Sequence, residues 1–166
     1  MTRSESVRHG GRDRGTRLKL LLAVTIVAVM VLSAILLVTQ SPGQNSQCKG
    51  TALCYTGTVE NIVDGDTLDI GGKRIRLTLV NTPEIGQAGY EEAKQFTATL
   101  CTVGSQALVD EDDGQTGGSY GRVIAVVYCG GKNLNAELLS AGHASIMTQY
   151  CSVSEFASEP WASDCR

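Results

Sequence analysis

Residues 55–80, YTGTVENIVDGDTLDIGGKRIRLTLV, decide the fold. They hold three runs of strand character: Tyr55–Ile62, which alternates loosely, the short Thr67–Ile70, and Arg74–Val80, which alternates until its apolar end. Gly71-Gly72 marks a tight hairpin between the second and third runs. Asn81-Thr82-Pro83 stops the third, because Pro83 has no N–H for a ladder and restricts Thr82.

Toward the C-terminus the period changes. Tyr90–Cys101 has helical spacing, with Ala93, Phe96, Leu100 and Cys101 on one face. Ser105–Val109 and Arg122–Cys129 read as two further strands, joined by an acidic, glycine-rich loop over Asp110–Ser119. Gly130-Gly131 is a turn, Leu134–Ala141 a short helix ended by Gly142, and Ser154–Ala162 a last helical turn or two. Three strands, a helix, two strands and then helices predict an α+β, mainly β domain. Its architecture is a five-stranded OB-type Greek-key barrel with two or three helices.

Toward the N-terminus, residues 1–19 form a basic segment, with Arg3, Arg8, Arg12, Arg14, Arg17 and Lys19 against Glu5 and Asp13. Leu20–Val38 is apolar apart from Thr25 and Ser33. As a helix it rises about 28 Å, close to the hydrocarbon thickness of a bilayer. A transmembrane signal anchor over 20–38 is expected, with the basic flank cytoplasmic and the rest extracytoplasmic. A cleaved signal peptide is the competing reading, but the run ends without a small-x-small site. Residues 39–53 then read as a linker and 54–166 as the folded domain, expected to act as a monomer without an obligate protein partner.

All six cysteines (Cys48, Cys54, Cys101, Cys129, Cys151 and Cys165) lie past the apolar run, as in a disulfide framework. Zinc ligation fits poorly, since no CxxC pair occurs and His143 is the only histidine beyond the anchor. Six cysteines allow 15 connectivities. The pairing expected is Cys48–Cys54, Cys101–Cys129 and Cys151–Cys165, the last two holding a helix end and the C-terminal tail. From residue 43 onward 8 Lys and Arg face 15 Asp and Glu, a net charge of −7. A general positive field for holding polyanions is thereby excluded, and any such chemistry must rest on local cations and a metal.

Functional residue types gather where strands end. Val63-Asp64-Gly65-Asp66-Thr67 places two carboxylates at a turn, suited to a hard cation, although Asp-Gly is also an ordinary turn. In Arg76-Leu77-Thr78-Leu79-Val80-Asn81-Thr82-Pro83-Glu84 an arginine on an apolar strand is followed by an amide and a carboxylate at its end. Tyr120-Gly121-Arg122 starts a strand, and Asn135 and Tyr150 follow; each alone also reads as a surface feature. Neither a Ser-His-Asp nor a Cys-His arrangement is evident, and His143 reads as structural.

Taken together, these stretches and Gly142 resemble the staphylococcal nuclease (thermonuclease) family in content, order and spacing, over roughly Tyr55 to Tyr150. The resemblance implies a Ca²⁺-dependent endonuclease of low sequence specificity, acting on DNA and RNA and leaving 3′-phosphate and 5′-hydroxyl ends. By position it implies Asp66 and Asn81 as Ca²⁺ ligands, with the backbone carbonyl of Thr82, and Asp64 behind them. Glu84 would orient or deprotonate the attacking water, Arg76 and Arg122 would grip the scissile phosphate, and Tyr120 and Tyr150 would line the nucleotide pocket. Asn81 stands where the best-known member carries aspartate, so weaker Ca²⁺ binding is expected. Asp110-Glu111-Asp112-Asp113 stands where a basic loop would be expected, and reads either as a solvated acidic turn or as a real loss of affinity for polyanions. A non-catalytic, surface-tethered OB module that holds nucleic acid is the alternative, since fold alone does not set function.

Overall fold

The computed structural model describes Lys19 and residues 47–166. The expected anchor over 20–38, almost all of the basic segment and the first part of the linker lie outside the described residues. Among the described residues no helix is long and apolar enough to cross a membrane. The chain divides into two units, 1–44 and 45–166, and the second is the folded domain described below.

Its elements are β1 (Cys54–Ile62), β2 (Thr67–Ile70), β3 (Lys73–Leu77), β4 (Val80–Asn81), α1 (Tyr90–Leu100), β5 (Gln106–Glu111), β6 (Val123–Cys129), β7 (Lys132–Asn133), α2 (Leu134–Ser140) and β8 (Ser145–Ile146). Strands β1, β2 and β3 form an antiparallel meander, β5 pairs with β1 and β6 with β5. Parallel pairing of β3 with β6, Ile75 beside Val123, closes the barrel. This is the five-stranded closed barrel with a few helices that the strand order predicts. Gly71 (φ 58°) and Gly72 (φ 75°) make the β2–β3 hairpin, as both central positions of such a turn need positive φ. Inward-pointing Val59, Leu68, Ile70, Ile75, Leu77, Val109 and Val127 fill the interior, and Leu134 and Leu138 of α2 cover one end.

Two expectations need correction. The third strand does not run to Val80. It stops at Leu77, where Thr78 N–H bonds the Ala125 carbonyl (2.8 Å) and buried Leu79 takes φ 59°. Val80 and Asn81 then form β4, which pairs with β8 outside the barrel. Barrel closure against β6 forces this break, and alternation in sequence cannot register it. Residues 112–119 are the expected loop, but the acidic start of that stretch, residues 110–113, is not a solvated turn. Asp110 and Glu111 extend β5 opposite Val126 and Ala125, and Asp110 and Asp112 are fully buried.

Asp112 is a hub. Its carboxylate accepts from Thr78 Oγ1 (2.7 Å), Ser154 Oγ (2.5 Å), Gln115 Nε2 (2.9 Å), and the Gly114 and Glu155 N–H groups. Asp113 accepts from the Thr51 and Ala52 N–H groups, Asp110 from Lys49 N–H, and Glu111 from Leu53 N–H. The acidic run therefore pins residues 49–53 and the tail to the barrel. The disulfides are Cys48–Cys54, Cys101–Cys129 and Cys151–Cys165, the pairing expected from sequence. Two 3-10 turns, Glu155–Ser158 and Pro160–Cys165, supply the last helical turns and bury Phe156 and Ala162 against Leu79 and Val126.

Candidate functional site

The site is built at the break after β3. Leu77 points into the core, so alternation turns Arg76 to the outer side, under β4. Its Nη1 donates to the carbonyls of Leu77 (3.0 Å) and Val80 (2.6 Å), spanning the turn, and Nη2 donates to Asn81 Oδ1 (3.2 Å). The same Nη2 lies 3.1 Å from Asp66 Oδ2. Asp66 in turn accepts the Thr82 N–H at 2.7 Å, and its own N–H is held by Asp64 Oδ1 at 3.1 Å. Asp64, Asp66, Arg76, Asn81 and Thr82, spread over 19 positions of sequence, thus form one hydrogen-bonded cluster.

Gly65 shows why the Asp-Gly-Asp stretch is not an ordinary turn. A Cβ there would lie 2.8 Å from the Thr82 side chain and 2.9 Å from Ala93 Cβ, and its carbonyl accepts from Thr97 Oγ1 (2.6 Å). The loop is wedged between the β4 segment and α1, and only a residue without a side chain fits.

Asp66 is 3% exposed and Arg76 9%. Burial pushes the Asp66 carboxyl up to about 6, outweighing the opposing pull of Arg76 and the Thr82 N–H, while nearby Asp64 pushes the same way as burial. One guanidinium does not fully compensate two carboxylates in so dry a place. The Asp66 carboxylate and the Asn81 amide oxygen, which now share Arg76 Nη2, are the oxygen ligands that a hard divalent cation prefers, and as residue types they fit Ca²⁺. All six cysteines are in disulfides and supply no thiolate.

Beside this cluster a cavity of about 260 Å³ is lined by Arg76, Thr78, Gln115, Arg122, Met147 and Tyr150 among others. It brings together the two arginines and one of the two tyrosines singled out in the sequence. Arg122 is fixed by Nε to the Ser119 carbonyl (3.0 Å) and Nη2 to Ser119 Oγ (3.4 Å). Ser119 and Arg122 pair across a two-residue turn in which Tyr120 (φ 52°) and Gly121 (φ 74°) both have positive φ. Tyr120 is 98% exposed, with the Arg122 guanidinium 5.7 Å from its ring centre. It lines two neighbouring cavities with Arg122, but not the one that Arg76 shares.

Glu84 stands apart. It is exposed, its N–H donates to Gln87 Oε1 (2.8 Å), and its carboxylate meets no ion-pair partner among the described residues. Asn135 is not beside Tyr150 in role. It is fully buried, donating to the Thr78 carbonyl (2.9 Å) and accepting from Val127 N–H (3.2 Å), and so holds the turn that follows Arg76. Its place on the Leu134/Leu138 stripe of α2 was a readable signal, as a polar residue on an apolar face. The His143 ring packs tilted against Phe96, with ring centres 4.7 Å apart. Asp112 and Thr78, which support the cavity from below, carry no such signal.

Residues 74–160 match the family model described as staphylococcal nuclease homologue, just over half of the chain. The chain belongs to the staphylococcal nuclease family. The family match starts at Arg74, and the hydrogen bonds above join Asp64 and Asp66, which precede it, to residues inside it. Endonuclease YncB of Bacillus subtilis (strain 168) is 32% identical over 103 residues, covering 56% of this chain and 48% of that protein. The micrococcal nuclease of Shigella flexneri is 35% identical over 103 residues, covering 54% and 57%. Succinoglycan biosynthesis protein ExoI of Rhizobium meliloti (strain 1021) is 30% identical over 153 residues, covering 87% and 75%. The chain spans about half the length of these two nucleases.

Proposed function

We propose that this chain is a Ca²⁺-dependent endonuclease that hydrolyses phosphodiester bonds of DNA and RNA with low sequence specificity, leaving 3′-phosphate ends. The observation that carries the reading is the cluster of Asp66, Asn81 and Thr82 around Arg76, which itself also lines the cavity shared with Arg122 and Tyr150. The names of the two nuclease relatives agree with it.

The Asp66 carboxylate, the Asn81 amide oxygen and the Thr82 carbonyl would hold the cation, which supplies Lewis-acid charge neutralisation at the phosphate. Asp64 positions Asp66 through its backbone N–H. Arg122, held by Ser119, presents its open Nη donors to the phosphate oxygens. Arg76 would turn Nη2 to the same phosphate when the cation takes over the Asp66 and Asn81 oxygens that Nη2 now meets. Glu84, free and exposed, takes the proton of the attacking water. The water oxygen forms the new P–O bond, the P–O5′ bond breaks, and the departing 5′ oxygen takes a proton from solvent water while Glu84 returns its own to solvent. Tyr150 and Tyr120 flank the nucleotide.

The location follows as part of the same proposal: a domain tethered through residues 20–38, acting as a monomer outside the cytoplasm. Its support is the apolar run together with three disulfides, which persist in oxidising compartments.

The decisive test incubates the oxidised chain with single-stranded DNA in millimolar Ca²⁺ or in chelator, beside Glu84→Gln. We expect Ca²⁺-dependent cutting with 3′-phosphate ends, reduced about 10²–10⁴-fold in the variant as for loss of a general base. Folded protein that binds DNA and cuts none of it would show the binding-module reading to be correct instead.

A further inference from the structure

Half of the 8 cationic residues beyond residue 43 lie at one edge of the barrel: Lys73, Arg74, Arg76 and Arg122. Of the others, Lys49 is tied to Glu159 and the Glu155 carbonyl, and Arg166 to carbonyls of the tail. A domain carrying −7 therefore concentrates its positive charge on β3 and the start of β6. The register explains how. Arg74 and Arg76 share the outer face of β3, about 6.6 Å apart along the strand. Ile75 pairs with Val123 in parallel, so Arg122 comes alongside Arg74 on the neighbouring strand.

Arg122 lines three adjoining cavities. The first holds Arg76 and Tyr150. The second, about 310 Å³, adds Asp64, Thr67, Arg74 and Tyr120, and the third, about 430 Å³, adds Lys73. A track of cations thus leads away from Arg76, past Arg122, to Arg74 and Lys73, with the exposed ring of Tyr120 beside it. Three carboxylates lie along this track, and each is already engaged. Asp64 accepts the Asp66 N–H (3.1 Å). Glu60 accepts the Gly72 N–H (3.0 Å), and Asp69 takes Arg74 Nε (2.8 Å), Arg74 Nη2 (3.1 Å) and Asn61 Nδ2 (3.3 Å). That pairing aims the Arg74 guanidinium and leaves its Nη1 donors open.

We propose that Lys73 and Arg74 form a flanking-phosphate subsite, which binds the phosphodiester next to the one held by Arg76 and Arg122. The subsite rests on the nuclease reading. It makes the substrate a polynucleotide in preference to a short diester. It also places the attraction for a polyanion locally on a domain whose overall charge repels one.

The test compares the full-length, oxidised chain with Lys73→Gln/Arg74→Gln and with Lys73→Gln alone, which keeps the Arg74–Asp69 pair. Lys94→Gln/Lys132→Gln removes equal charge away from the track. Substrates are a 20-nucleotide single-stranded DNA and a dinucleotide, in 50 and 200 mM salt, with binding of the 20-mer followed by fluorescence anisotropy. The double variant is expected to lose kcat/KM on the 20-mer through KM, with the dinucleotide unchanged. Losing the one flanking phosphate lowers the salt slope by about 0.7, so the wild-type advantage shrinks about 2.6-fold between the two salts. Equal losses on both substrates, an unaltered slope, or the same effect from Lys94→Gln/Lys132→Gln would overturn the subsite. A wild type that binds the 20-mer but cuts neither substrate would refute the nuclease reading instead. Anisotropy then decides the subsite separately: weaker binding and a smaller slope in the double variant uphold it, and unchanged binding overturns it.

Discussion

Gly65 and Tyr120 are each held in place by a different constraint. At Gly65 the constraint is contact: a methyl would press on Thr82 and Ala93 and push Asp66 away from Arg76. Gly65→Ala should cost about 1–3 kcal/mol, the usual penalty for overpacking, and lower Ca²⁺ affinity with it. Urea unfolding and a Ca²⁺ titration of the same protein check both effects. At Tyr120 the constraint is conformation. An L-residue with a bulky side chain at φ 52° is strained, and such strain collects at functional positions. Tyr120→Asn should raise Tm, since asparagine tolerates this region, while KM for DNA rises. A fall in Tm would show that the ring contributes packing after all. The motif residues were legible because their spacing is local. Glu84 was legible as a candidate, yet its exposed carboxylate shows that recognising a residue type does not place it against a partner.

At the scale of elements, the acidic run behaves as a clamp. Asp113 is held below the usual carboxylate range chiefly by the N–H groups of Ala52 and Thr51. A carboxyl whose folded value is depressed contributes stability above its unfolded value, about 3.9, and loses it as pH falls through the folded value. Protection of the Thr51 and Ala52 amides from hydrogen exchange should therefore be present at neutral pH and vanish in acid below that range. Asp113→Asn should weaken it at neutral pH and remove its dependence on acid. Protection that survives acid unchanged would mean that the Cys48–Cys54 bridge alone holds the segment. Sequence read this run as a loop because charge density ordinarily marks solvent. Three carboxylates facing the N–H groups of residues 49–53, with the fourth facing the tail, form a pattern that no local window contains.

For the whole molecule, the longest covalent constraint is Cys101–Cys129, which ties the end of α1 to the end of β6 across 28 positions. Closing a loop of that length is worth about 3–4 kcal/mol through the unfolded chain. Cys101→Ala/Cys129→Ala should lose that much in urea unfolding, and more than Cys48→Ala/Cys54→Ala, whose loop spans 6 positions. Similar losses from both would point to native packing of the sulfurs as the source of the stability.

Sequence alone determined the strands, the Gly71-Gly72 hairpin, the two helices and the family, because alternation, helical period and motif spacing are short-range properties of the chain. Disulfide pairing was a choice among many connectivities. Only the tertiary structure decided that β3 stops at Leu77 and that Asn81 stands on its own ribbon. It likewise brought Asp112 and Asn135 beneath the site and aligned Arg74 with Arg122. Each of these depends on the parallel pairing of β3 with β6, residues 75 and 123, and on which groups that closure leaves without hydrogen-bond partners. Contacts across such separations are set by the barrel as a whole, and so they are absent from any local pattern.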